Sequence, residues 1–461
     1  MFSIRDRSLA LLPVLGLFLS FALPAQPSLA EEFSGGRVIE PARHGVLASR
    51  DRVEPENRML VDRLENLLPR LMAETGIDLW LVMNREYGED PVYFTLVPQP
   101  TFAARRTTIL VFHRREDGTV SKQTVNRYPF GPPYEAAWTG GDLDEQWRAL
   151  GELIGKLQPK RIGINVSRTW PEADGLTAGL HQRLLEVLPA GFKDRVVSAE
   201  NLVVRWLETR SEQEIAVYPH VVAIARGVIT EAFSSRVITP GITTTDDVEW
   251  FIRERFEALG LHPWFMPSVD LQRAGTPCLP DTSSCGSEGV IQPGDVLHTD
   301  VGFCYLKLCT DTQENAYVAK LDEETVPAGL VAALTESNRW QDLLTAEFVT
   351  GRSGDEILRR ARERMAREKW LGVNIYSHPI GFFGHGPGPT IGMWDNPGIN
   401  PGRGDWPLHA NTAYAIEGAL KLPIPEWQGQ LLHLKVEQTA LFDGQGVFYL
   451  GGRQTAWHVV R

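Results

Sequence analysis

Six residues in the second half of this chain combine types and spacings that packing explains poorly. Asp300 and Asp311 stand eleven positions apart, each among apolar β-formers, with a turn-like stretch near Lys307 between them. Folded as two antiparallel strands, this segment brings both carboxylates to one face near one end. Burying two carboxylates together is costly, because desolvation and mutual repulsion both oppose double ionisation. A metal ion would supply the missing positive charge. Downstream, His378 and His385 stand seven apart in HPIGFFGH, and Glu417 and Glu437 each interrupt an apolar, strand-like run. Charged residues inside such runs are rarely buried unless paired or ligating.

This order, Asp and a second Asp, then His-x-x-Gly-x-x-x-His, Ile-Glu-Gly and Val-Glu-Gln, resembles the pita-bread metallopeptidase family of methionine aminopeptidase, Xaa-Pro aminopeptidase and prolidase, with creatinase as a relative. The likeness covers residues 210–461 and, more weakly, the part before them. It implies an α+β fold, with a pita-bread C-terminal domain behind a smaller, creatinase-like α/β N-terminal domain. Carried over position by position, Asp300 would chelate one metal, Asp311 and Glu437 would bridge two, and His378 and Glu417 would hold the second. Hard oxygens with one imidazole suit Mn²⁺, Co²⁺, Fe²⁺ or Zn²⁺, and manganese is the first candidate. The implied reaction is hydrolysis of a peptide bond by a water that two cations share and activate. In it Glu417 accepts the proton, and His385, outside the metal shell, steadies the developing oxyanion. Peptides containing proline are the implied substrates, and a homodimer is the implied assembly.

Several positions depart from the family pattern. Its histidine upstream of the first aspartate falls near Ser283 here, although His298, two before Asp300 and on the same strand face, could substitute in part. Lys435 replaces an arginine before the last glutamate and Gln438 an aspartate after it, while Thr312-Gln313-Glu314 stands where Ile-Thr-Arg is usual. Lysine keeps the charge but loses the planar fork. The changes leave the ligand set whole and bear on substrate class. They also motivate two alternatives, a catalytically silent module that binds a peptide or partner, and a creatinase-like hydrolase of another small amide. The second works without metals in the family, which the full ligand set speaks against.

A chain of 461 residues with 43% hydrophobic content is long for one domain, so two are expected. The formal charge of −12, from 46 basic and 58 acidic residues, argues against nucleic acid as a partner. Arg5 and Arg7 precede an apolar run at 9–23, and Ser28-Leu29-Ala30 offers a cleavage site. The run falls short of the roughly 20 residues that span a bilayer, so residues 1–30 read as a signal peptide, with export to periplasm or medium and no stable membrane insertion after cleavage. Four cysteines, Cys278, Cys285, Cys304 and Cys309, fit an oxidising compartment. Three pairings are open. Cys278 with Cys285 and Cys304 with Cys309 is favoured, since the second pair flanks the expected hairpin turn and would fix its register. A zinc site from the four would lack close C-x-x-C pairs.

The elements that must carry these residues follow from periodicity. After an extended lead-in at 31–54, Leu60, Leu64, Leu67, Leu68 and Leu71 mark a helix over 56–74, kinked or ended early by Pro69 and stopped at Gly76. Strands at 79–83, 107–113 and near Val120 alternate with helices at 144–157 and 176–188 and a strand at 161–166, an α/β layer pattern. This part, 55–207, reads as the N-terminal domain, and a boundary at 207–211 opens the catalytic domain, 208–461. Helices are expected over 212–233, 245–259 and 330–348, and from a capping box at Ser353 to Trp370. The aromatic run 262–267 is expected to serve packing before substrate contact. Mass spectrometry of the exported protein should find a chain starting at Glu31; a mature protein still starting at Met1 would refute the signal peptide.

Overall fold

Pro69 sets the shape of the first helical run in the structure, a computed structural model that describes residues 45–461 apart from 277, 280–284 and 397. The expected signal peptide and residues 31–44 of the lead-in lie outside the described residues. Proline lacks the N–H for the carbonyl four residues back. The helix accommodates this with a π turn, Arg63–Leu67, between the α segments Val53–Asp62 and Leu68–Thr75. The helical run therefore continues past Pro69, with its irregular turn just before the proline.

That run covers one face of a six-stranded sheet made of β1 (Leu79–Arg85), β2 (Thr107–Arg114), β3 (Val120–Asn126), β4 (Glu135–Trp138), β5 (Ile162–Ile164) and β6 (Val196–Ser198), in the order β4-β3-β2-β1-β5-β6. Alternation along β1 explains the layers. Trp80 and Val82 pack with Leu64, Leu68 and Leu71 and with the helix Glu200–Glu208, whereas Leu79, Leu81 and Met83 pack with the helices Leu143–Leu157 and Ala178–Val187. The short elements β4, β6 and Glu200–Glu208 carry too little periodicity to be read from sequence.

The second sheet has nine strands: β7 (His262–Pro263), β8 (Ser268–Gln272), β9 (Val296–Tyr305), β10 (Leu308–Val318), β11 (Leu371–Pro379), β12 (Thr412–Pro423), β13 (Leu431–Phe442), β14 (Val447–Tyr449) and β15 (His458–Val460). Its main path runs β11-β12-β13-β10-β9-β7. The expected aspartate hairpin is β9 and β10. Leu306 and Lys307 form its two-residue turn with φ of 52° and 63°, the left-handed pair that matches strand twist. Cys304 and Cys309 lie opposite each other beside that turn and are joined by a disulfide, as are Cys278 and Cys285. Both pairings agree with the sequence expectation, and they remove the four-cysteine zinc alternative.

Helices back this sheet on both halves. Glu212–Ala232 and Thr245–Ala258 pack on β9 and β10, and Ala328–Thr345 and Gly354–Met365 on β12 and β13. Glu212–Ala232 is long and apolar enough to cross a bilayer by composition, but Tyr218, Val221, Ala225 and Val228 bury its apolar face in the core. The helix expected to reach Trp370 stops at Met365, because the Trp370 indole is held by Glu336 at 2.9 Å and turns the chain into β11. Its capping box is half formed. Ser353 caps Glu356 N, while the Glu356 carboxylate turns to Arg360.

The glycine of Ile-Glu-Gly has a packing reason. A Cβ on Gly418 would stand 2.3 Å from the buried Trp340 ring and 2.5 Å from Asn374 O. Gly418→Ala should therefore destabilise the protein by about 1–3 kcal/mol through overpacking, read as a lower Tm. An unchanged Tm would show that Trp340 can retreat.

Candidate functional site

The register of the large sheet lines up a row of polar side chains. Ser268 pairs with Asp300, Asp300 with Gln313, Gln313 with Glu437, Glu437 with Glu417, and Glu417 with Tyr376. Residues directly opposite across strands share a face, and the two-residue period adds Asp311 beside Gln313 and His378 beside Tyr376. All five expected ligand positions thus converge. Between β10 and β13 the only register pair is Gln313 with Glu437. The rest of that seam is stitched by side chains, Asn315 donating to Lys435 O at 2.8 Å and Gln438 to Gln313 O at 3.2 Å.

The contacts are those of a site short of positive charge. His378 Nε2 lies 3.8 Å from Asp311 Oδ2, 3.9 Å from Glu417 Oε2 and 3.7 Å from Glu437 Oε1. Its Nδ1 donates to Pro379 O at 3.2 Å, so Nε2 turns a lone pair toward three carboxylates. Asp300 Oδ1, Asp311 Oδ1, Glu437 Oε1 and His378 Nε2 are buried, and among the described residues none has a hydrogen-bond partner. Orphaned buried acceptors of this kind call for an ion. The potential ligand atoms form overlapping groups within 4.8 Å: Asp300, Asp311 and Glu437; His378, Glu417 and Glu437; and Asp311, His378 and His385.

Burial, with Glu437, Asp300 and Glu417 close by, drives the Asp311 carboxyl well above its ordinary range. Burial raises Glu417, helped by Glu437 and Asp300, and raises Glu437, helped by Asp300. Asp300 rises from burial only to about 6, since His298 and Lys435 oppose the shift. Burial lowers His378 to about 4. At 4 Å two unit charges repel by about 4 kcal/mol at an effective dielectric of ~20. Several such pairs rival the roughly 5–15 kcal/mol that hold a domain folded.

Above the acids is a cavity of about 340 Å³ walled by Trp264, Phe265, Tyr376, His385 and Trp394. His385 opens into it, edge-on to Trp264 and to His378 at ring separations of 5.0 and 4.7 Å. Desolvation by the walls, with His378 and Arg403 nearby, lowers it to about 4. The Trp264 indole donates to Thr310 O at 3.0 Å, and it lies so close over Gly302 that a Cβ there would be 2.3 Å from its nitrogen. Packing was the first expectation for this aromatic run. Trp264 does pack against the core, but it also walls the cavity.

Residues 218–447 match the family model of metallopeptidase family M24. Through this domain the chain belongs to metallopeptidase family M24. It is a hydrolase, and the family uses divalent metals. A search of curated protein sequences returns no match. Among solved structures, the X-Pro aminopeptidase of Thermotoga maritima is similar, with a TM-score of 0.59 and 19% identity over 85% of this chain and 100% of that one. The Xaa-Pro dipeptidase of Bacillus anthracis has a TM-score of 0.57 and 16% identity over 90% and 100%. A dipeptidase of Mycobacterium ulcerans has a TM-score of 0.55 and 18% identity over 87% and 98%. These likenesses establish the pita-bread fold.

Within the M24 domain one expectation changes and one is untested. The position near Ser283 lies outside the described residues. His298 is buried with both ring nitrogens engaged, by Asp270 at 3.0 Å and Gln313 at 2.9 Å, so it has no free nitrogen to offer a substrate. Sequence reading missed Asp270, whose only signal is its place on a short strand opposite His298.

The four acids hold their protons more tightly folded than unfolded. Their contribution to stability is greatest below the unfolded carboxyl range near ~4 and falls as pH rises through the raised folded values. In chelator-stripped protein, Asp311→Asn should raise Tm at pH 7.5 and change it little at pH 4. Added Mn²⁺ should raise the wild-type Tm more at the higher pH. A Tm difference independent of pH would contradict the charge-starved site.

Proposed function

We propose that the protein is an exported, dinuclear metal-dependent aminopeptidase or dipeptidase that hydrolyses bonds at proline, with residues 208–461 as its catalytic domain and 55–207 as a creatinase-like companion. The observation that carries this is the pair of ligand groups that share Glu437, lined with orphaned acceptors. In this reading Asp300, Asp311, His378, Glu417 and Glu437 hold two divalent ions, manganese first among candidates, which when bound supply Lewis acidity and an activated water.

The chain's own groups do the rest. Glu417, more open than Glu437, takes the proton of the attacking water on its carboxylate. His385 is neutral near pH 7 and open to the cavity, so it gives one N–H to the developing oxyanion. Trp264, Phe265, Tyr376 and Trp394 exclude water and offer rigid apolar faces, a fit for the flat, apolar pyrrolidine ring of proline. The X-Pro aminopeptidase and Xaa-Pro dipeptidase of the same fold favour that substrate class.

The test is hydrolysis of a panel of proline-containing di- and tripeptides by protein loaded with Mn²⁺, Co²⁺ or Zn²⁺. Cleavage is expected, and Glu417→Gln should lower kcat about 100- to 10,000-fold with KM little changed. No turnover of any Xaa-Pro peptide or small amide with any of these ions would sink the reading.

A further inference from the structure

Gln313 is not one of the expected ligands, yet it stands at the centre of the site. Its side-chain nitrogen donates to Glu417 Oε1 at 2.9 Å and to Glu437 Oε2 at 2.8 Å. The other oxygen of each glutamate is the one that faces His378 Nε2, at 3.9 and 3.7 Å. Both N–H groups of one amide are thus spent on choosing which oxygen each glutamate turns toward the cation groups.

The amide is itself held. Gln313 Oε1 accepts from His298 Nε2 at 2.9 Å, Asp270 Oδ2 stands 3.0 Å from His298 Nδ1, and Lys435 Nζ donates to the same Asp270 oxygen at 2.5 Å. A flipped amide would set its oxygen against two carboxylates and its N–H groups against a ring donor, so the chain of contacts admits one orientation. Gln313 and His298 are buried, at 4% and 3% exposure, and water cannot replace either contact cheaply. The placement matters because Gln313 and Glu437 form the one register pair between β10 and β13. The side chain that orients the glutamates is also at the joint between the two halves of the sheet.

We propose that Gln313 is a positioning residue for Glu417 and Glu437, locked by the relay Lys435, Asp270 and His298, and that it thereby sets the affinity of the site for divalent ions. This rests on the metal-binding reading above. Groups that orient metal ligands from behind typically contribute about 10- to 100-fold to affinity.

The experiment is calorimetric titration of the full chain with Mn²⁺, for wild type, Asp311→Ala, Gln313→Met, Asp270→Asn and the Gln313→Met/Asp270→Asn double variant, with circular dichroism to confirm folding. Gln313→Met keeps the volume and removes both donors. It should weaken Mn²⁺ about 10- to 100-fold and shift the visible bands of the Co²⁺-loaded protein, which report ligand geometry and not stability. Asp270→Asn should weaken Mn²⁺ several-fold alone and add nothing in the Gln313→Met background, since it acts through the same side chain. If wild type binds Mn²⁺ and Asp311→Ala abolishes binding, but Gln313→Met binds within about twofold of wild type or the two effects add, the proposal is overturned and the metal site stands. If wild type binds no Mn²⁺, or Asp311→Ala leaves binding intact, the metal reading fails and this proposal with it. Should Gln313→Met not fold, Asp270→Asn decides alone: weaker binding supports the relay, and unchanged binding overturns it.

Discussion

Four carboxylates and a bare imidazole nitrogen crowd one largely buried face, and the large sheet holds them there against their mutual repulsion. Local relief is partial: Gln313 donates to Glu417 and Glu437, and Lys435 opposes the shift of Asp300 while bonded to Asp270, but His378 keeps its proton on the far nitrogen. The convergence is therefore imposed by the backbone ladder, which fixes Asp300, Glu437 and Glu417 in register. Burial on both faces of β9, β10, β12 and β13 provides the stability against which the repulsion works.

The same ladder explains what the sequence discloses. Period-two alternation is enough to place Asp300 and Asp311 on one face of a hairpin, because a strand leaves a side chain only two directions, while the convergence of His378, Glu417 and Glu437 with them is legible only through the family resemblance. The Leu306-Lys307 turn and its disulfide are legible for a similar reason, as local geometry written in adjacent residues. Asp270 and the orientation of Gln313 are not. They depend on β8 pairing with β9 and on β10 meeting β13, contacts between segments more than a hundred residues apart in the second case. The end of the helix Gly354–Met365 escapes for another reason, since an indole anchored on a neighbouring helix overrides an otherwise helical stretch.

The loop that brings His385 to the cavity is fixed from outside the sheet. Phe382 packs against the guanidinium groups of Arg63 and Arg210, each 4.8 Å from its ring. Arg63 comes from the π turn, and it bonds Thr209 O at 2.7 Å and Glu214 at 2.8 Å. Cys309 N donates to Gly381 O at 2.7 Å, tying the hairpin tip to the same loop. The π turn before Pro69 thus has a consequence far from the small sheet. By widening one helical turn it belongs to the segment that delivers Arg63 against the histidine loop, and a cation over an aromatic face gains most where both are desolvated.

The departures from the family pattern come in matched sets. Gln313 stands where a threonine is usual, and its longer side chain is satisfied: its oxygen accepts from His298, and its nitrogen donates to Glu417 and Glu437. Glu314 stands where an arginine is usual. It is fully buried, but Arg226 at 2.7 Å and His458 at 2.5 Å meet its two oxygens. Gln313 and Glu314 are thus satisfied, while four buried acceptors of the site, His378 Nε2 among them, have no hydrogen-bond partner among the described residues. Burial of an unpaired carboxylate costs stability whether or not there is catalysis. Four carboxylates on one face are a cost that a bound cation would offset, and the side chains behind them, Gln313 above all, fix which oxygens Glu417 and Glu437 present to it.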